Sequence, residues 1–124
     1  MESIYNISVQ TNIKDNFYLL LGDFLDDFYH ADSNVRAKMI ENAPDDMPKP
    51  EYVPFLAATA HKLANDYGIT PPQWTFEPRC YLSGMTPHFA CNARGNLRLL
   101  FMYKSPSEFK HRNLFVDENV LVRV

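Results

Sequence analysis

The sequence predicts a small, mainly α-helical domain, with room for an α+β variant that carries one short hairpin or an N-terminal strand. Three segments repeat apolar residues at helical spacing, residues suited to capping stand at their ends, and the connections between them are short. The 124 residues are 46% hydrophobic, 14% aromatic and 22% charged, a globular balance. A chain of this length buries about two thirds of the surface it exposes when unfolded, so it needs neither disulfide nor metal to fold. We read residues 1–124 as one domain, with 1–12 as a short strand or a flexible arm.

Taken in order, Tyr5, Ile7 and Val9 alternate with Asn6, Ser8 and Gln10, the period of a half-buried strand. Asn12 and Asp15 can then cap a helix over 13–30, whose face collects Phe17, Leu20, Leu21, Phe24, Leu25 and Phe28 opposite Asp23, Asp26 and Asp27. Asp32 or Ser33 caps a shorter helix through Ala43, with Val35, Met39 and Ile40 inward, and Pro44, Pro48 and Pro50 impose a loop. A third helix from Pro50 or Glu51 to Tyr67 gathers Val53, Leu56, Ala57, Ala60, Leu63, Ala64 and Tyr67 on one face and leaves Phe55 with Lys62 on the polar side. Gly68 followed by apolar Ile69, then Pro71 and Pro72, ends that helix in a glycine turn whose next residue packs back.

Residues 69–96 lack periodicity and predict an irregular, packed connection. The apolar run 97–103 fits a buried strand and a short helix equally: Asn96 suits a cap, while Arg94-Gly95-Asn96 suits a hairpin turn. Ser105-Pro106-Ser107-Glu108 combines a capping serine, proline at the first helical position and glutamate at the third, which predicts a helix through Arg112. That helix would pack Phe109 inward and project Lys110, His111 and Arg112. Leu114, Phe115, Val116, Leu121 and Val122 make the C-terminus apolar enough to dock on the core.

The charge of −3 is divided unevenly, with 11 acidic and 5 basic residues in 1–66 and 4 acidic and 7 basic in 67–124. The two halves can neutralise one another or leave a basic face. Two cysteines, Cys80 and Cys91, make no disulfide framework, and the start has neither a basic n-region nor an apolar h-region. With no 18-residue apolar stretch either, a cytoplasmic protein without a membrane partner is expected.

Cys80, His88 and Cys91 are the nearest approach to a metal set, but structural zinc ligands come as closely spaced pairs, so no metal is expected. Ser105, Cys80 and Cys91 have no nucleophile signature around them, although His88 stands three residues before Cys91. The aspartates of the 13–30 helix read as a solvated face. Gly22, Gly68, Gly84 and Gly95 are dispersed, which excludes the familiar phosphate-cradling loops, and no cofactor is expected. Arg94, Arg98, Lys104, Lys110, His111 and Arg112 form a basic set within nineteen residues, with Phe101, Tyr103 and Phe109 available for stacking. Phe55, Trp74, Phe76 and Tyr81 stand off the apolar faces and, if exposed together, would make an aromatic interface patch.

Phe24-Leu25-Asp26-Asp27-Phe28-Tyr29, Gly68-Ile69-x-Pro71-Pro72-x-Trp74 and Ser105-Pro106-x-Glu108-Phe109 leading to Arg112-Asn113-Leu114-Phe115-Val116 together resemble a poorly characterised family of small bacterial proteins. The resemblance spans residues 20–124 and is most specific in its last block. It implies an accessory or antitoxin-like role. Some members carry the domain behind a helix-turn-helix domain, and too few residues precede the first strong helix for that domain to be expected here. The resemblance transfers no catalytic residue. The expectation is therefore a non-enzymatic module that binds another protein through Arg94, Arg98, Lys104, Lys110, His111, Arg112, Phe55 and Trp74. A nucleic-acid-associated accessory protein and an enzyme with an unfamiliar site are the alternatives.

Overall fold

The computed structural model describes residues 3–85, 87–90 and 93–123, and it is mainly helical. Helices α1 (Ile4–Ile13), α2 (Phe17–His30), α3 (Ser33–Met39) and α4 (Tyr52–Asp66) come first. Two 3₁₀ turns, Gln73–Phe76 and Pro78–Cys80, then lead to strand β1 (His88–Phe89), helices α5 (Gly95–Lys104) and α6 (Ser107–Lys110), and strand β2 (Leu114–Phe115). No helix among the described residues is long and apolar enough to cross a membrane.

The strand expected at the N-terminus is a helix. The Ser3 hydroxyl accepts the Asn6 N–H at 3.2 Å, which caps the first turn. Ile4, Ile7, Ser8 and Thr11 then share a buried face at helical spacing, whereas Tyr5, part of the apparent alternation, is exposed. Ser8 is buried because its hydroxyl donates to the Tyr5 carbonyl and accepts the Asp45 N–H at 2.9 Å, which docks the proline loop on α1. Asn12 lies inside α1 rather than capping α2. Asp15 serves the start of α2, accepting the Phe17 N–H at 3.3 Å and the Tyr52 hydroxyl at 2.9 and 3.0 Å.

The face predicted for α2 is the face that is buried, with Phe17, Leu21, Phe24, Leu25 and Phe28 all in the core. Asp32 caps α3, and this helix stops at Met39 instead of reaching Ala43. Helix α4 is the central element. From Tyr52 to Ala60 every residue is buried, because alanines on several sides let α6 and both 3₁₀ turns close on it. Pro54 falls in its first turn, where a missing N–H costs no helical hydrogen bond. At its end Gly68 adopts φ +69°, the Ile69 N–H reaches back to the Ala64 carbonyl at 2.8 Å, and Ile69 packs on the core as expected.

Residues 97–103 are helical, not the strand of a hairpin. The run Leu-Arg-Leu-Leu-Phe-Met-Tyr contains no β-branched residue, so its side chains lose little freedom in a helix. The strands that do form lie far apart in sequence and pair in parallel, His88 with Leu114 and Phe89 with Phe115. Ser105 does not cap α6, which begins after Pro106. Its buried hydroxyl instead accepts the Val116 N–H at 2.8 Å and sits within donating reach of the Phe101 and Val116 carbonyls, tying the end of α5 to the C-terminal segment. Leu114, Val116 and Leu121 close the core, whereas Val122, expected with them, is 63% exposed. The segment crosses α2, where the Tyr29 hydroxyl donates to the Leu121 carbonyl at 2.7 Å and Arg123 pairs with Asp26 at 3.0 Å.

Candidate interaction surface

Helix α5 is the least buried helix of the fold: of its ten residues only Phe101 is buried. Phe101 and the Ser105 hydroxyl anchor it to β2 and the segment that follows. On the far side from Phe101, Leu99, Met102 and Tyr103 stand at i, i+3 and i+4 with exposures of 63%, 47% and 77%. Leu100 beside them and Leu97 on the side of Phe101 are exposed as well. The apolar run that looked like core is thus presented outward along one helix, in the spacing of anchors that seat in an apolar groove.

The charge along this stretch of the chain has one sign. Between Pro78 and Ser107 the chain contains Arg79, Arg94, Arg98 and Lys104 and no aspartate or glutamate. Arg94 and Lys104 stand exposed at the two ends of α5. Arg98 lies with its guanidinium 4.0 Å from the centre of the Phe89 ring, which stacks on Phe115 at 4.9 Å. Lys110 crosses to the end of the helix and donates to the Tyr103 carbonyl at 2.7 Å, where a cation meets the negative end of the helix dipole.

Of the eight residues expected on a working surface, the structure gathers Arg94, Arg98, Lys104 and Lys110 on or beside α5 and leaves His111 exposed on the turn after α6. It removes the other three. Phe55 is 3% exposed, packed edge-on against Phe109 at 5.2 Å, because the first half of α4 is covered on all sides rather than on one. Trp74 is 8% exposed and donates its indole N–H to the Ile40 carbonyl at 3.0 Å. Arg112, expected to project, is 1% exposed. Phe101 and Phe109, considered for base stacking, are core residues as well.

Arg112 joins three segments. Its guanidinium donates to the Thr75 carbonyl at 2.8 Å, to the Glu108 carbonyl at 2.9 Å and to His61 Nδ1 at 3.1 Å. The Tyr81 ring lies 4.8 Å away, so π-faces and carbonyl dipoles solvate the charge, and its Nε is buried without a partner among the described residues. Burial, and then the Arg112 charge, hold the His61 imidazole below the usual histidine range. That neutral ring accepts from Arg112. Burial works to raise the Glu108 carboxyl, but the Asn65 amide at 2.9 Å, the Glu108 N–H, Lys62 and His61 outweigh it and hold it low. This cluster ties α4, the first 3₁₀ turn and α6 together, which is a fold-holding role.

The remaining sequence candidates do not converge. The Cys80 thiol is buried and donates to the Trp74 carbonyl at 3.2 Å, and burial pushes its pKa up, away from the thiolate a nucleophile needs. His88 sits on β1, with its backbone N–H bound to the Asn113 carbonyl at 3.1 Å. Cys91 lies outside the described residues. Among those described, no three His, Cys, Asp or Glu side chains gather in a way that could hold a metal ion. Asp26 is engaged by Arg123, whose hydrogen bond holds the carboxyl below its ordinary value. No family model, curated protein or solved structure matches this chain.

Proposed function

We propose that the chain is a non-enzymatic protein-interaction module whose working surface is the outer face of α5. The observation that carries the reading is the exposure of Leu99, Met102 and Tyr103 on a helix anchored through Phe101. Large apolar side chains clustered in this way are uncommon on a monomer's surface and mark contact sites. Charge complementarity sets the occupant: an apolar groove on another protein, rimmed by aspartate and glutamate to face Arg94, Arg98 and Lys104. An accessory or antitoxin-like role, in which the chain caps a functional groove of its partner, is the corresponding biological reading.

A nucleic acid is a poorer occupant. Of the six groups in the basic set, Arg112 is buried, Arg98 is stacked on Phe89 and Lys110 is spent on the end of α5. The test compares proteins retained from the native host by the wild type, by Leu99→Asp/Met102→Asp and by Leu19→Asp, which alters an exposed leucine on α2. A protein kept by the wild type and Leu19→Asp, and lost by the α5 variant, supports the reading. Loss with both variants, retention by both, or steeply salt-dependent binding of nucleic acid that survives the α5 change would overturn it.

A further inference from the structure

Between α2, the start of α4 and β1 lies a cavity of about 560 Å³. That is far more than a packing void and falls within the range of small-molecule sites. Leu21 and Leu25 of α2, Phe55 of α4 and Val120 of the C-terminal segment form apolar walls, and Phe89 contributes an aromatic ring. All four of the residues just placed on α2, α4 and the C-terminal segment are mostly or fully buried, so the walls are sheltered rather than spread over the surface.

The polar lining is rich in donors. Lys49, an exposed residue on the loop before α4, lines the cavity, as does Arg123, with Glu51 as the single carboxylate among the described residues of the lining. Arg123 is placed by the fold. Asp26 takes two of its five N–H donors, from Nε at 3.0 Å and Nη2 at 3.2 Å. A Cβ at Gly22 would stand 3.2 Å from the guanidinium, so glycine at this helical position leaves room for the arginine to lie across α2. His88 and Tyr18 also line the cavity, with an imidazole and a phenol ring.

We propose that this cavity is a binding site for a small amphipathic monocarboxylate, its apolar body against Leu21, Leu25, Phe55 and Val120 and its carboxylate at Lys49 and Arg123. No residue of α5 lines the cavity, although Phe89, one of its walls, carries the Arg98 guanidinium on its ring. Ligand chemistry follows from the lining: the walls reward alkyl or aryl length, and the cationic donors reward a single anionic head over an ammonium of the same length.

The experiment is a calorimetric titration of the full chain with straight-chain carboxylates of increasing length below their micelle concentrations, together with NMR mapping of the methyl groups. Saturable one-to-one binding is expected. It should tighten about fourfold per added methylene until the cavity is full, the equivalent of about 0.8 kcal/mol. Shifts should centre on Leu25 and Val120. Lys49→Glu, a surface change that leaves folding intact, should weaken binding at least about tenfold, as should replacing the carboxylate by an amine. The proposal is overturned by an absence of saturable binding, by affinity indifferent to chain length, by amines that bind as tightly as acids, by an unaffected Lys49→Glu variant, or by shifts centred on Leu99 and Met102 of α5.

Discussion

Arg112 is fully buried, yet it arrived in the fold with a charge that cannot be shed, so the carbonyls of Thr75 and Glu108 and the His61 ring have to solvate it. Arg112→Ala removes all three hydrogen bonds and opens a cavity, and should cost at least about 3 kcal/mol in urea unfolding. Arg112→Lys should recover little of the loss, because a point charge cannot bridge three acceptors as the planar fork does. By the same reasoning, reversing Lys110 and Arg112 to glutamate unfolds the protein, although sequence spacing placed both on a solvent face. The pH dependence follows from His61. Its pKa in the folded state lies below the ordinary 6.5, so the unfolded chain takes up the proton first. Stability is therefore whole above 6.5 and falls as pH drops from there through the folded-state value, with the lowered Glu108 adding to the loss below its ordinary 4.5. His61→Gln keeps an acceptor for Arg112 and does not titrate, so melting temperature against pH should flatten in the upper part of this range. An unchanged slope there would remove His61 from the account. None of this is legible in the sequence, since an arginine at the end of a predicted helix gives no sign of which carbonyls surround it.

At the scale of elements, legibility followed the strength of the local pattern. The α2 face, the end of α4 at Gly68 and the cap at Asp32 were readable because each rests on contacts within a few residues. Helix α1 reads as a strand because two β-branched residues alternate with polar ones, and Ser8, a polar residue on its buried face, is satisfied there by the Tyr5 carbonyl and the Asp45 N–H. Phe55 falls on the polar side of a helix with one covered face, whereas α6 and the 3₁₀ turns cover α4 on the others. The α5 surface had a faint signal, an apolar run interrupted by Arg98 and closed by Lys104, which suits a helix that is not core. Two substitutions separate these roles. Phe24→Ala, in the buried face of α2, should cost about 3–5 kcal/mol. Leu99→Asp/Met102→Asp, in the outer face of α5, should move stability by no more than about 1 kcal/mol, as exposed changes do. Equal losses in urea unfolding would show that the α5 face is structural.

For the whole molecule, the C-terminal segment is the closure. Leu114, Val116 and Leu121 are buried, and the segment is tied to α2 by Tyr29 and Arg123 and to α5 by Ser105. Each buried aliphatic is worth about 1.5–3 kcal/mol, so ending the chain at Asn113 removes an amount comparable with the about 5–15 kcal/mol that holds a domain together. The truncated protein should lose its cooperative melting transition; a transition like that of the full chain would make the segment a tail. The same closure decides where function is left to act. Ion pairs such as Arg123–Asp26 and Arg79–Asp46 join the basic C-terminal half to the acidic N-terminal half, while Arg94 and Lys104 remain exposed beside an apolar helix. Amide hydrogen exchange tests that division most directly, comparing the free chain with its complex with the protein retained through α5. Exchange at residues 97–104 should slow at least about tenfold on binding, with α1 and α2 unchanged. Protection that falls on α1 and α2 and leaves 97–104 as in the free chain would contradict the assignment of α5 as the working surface.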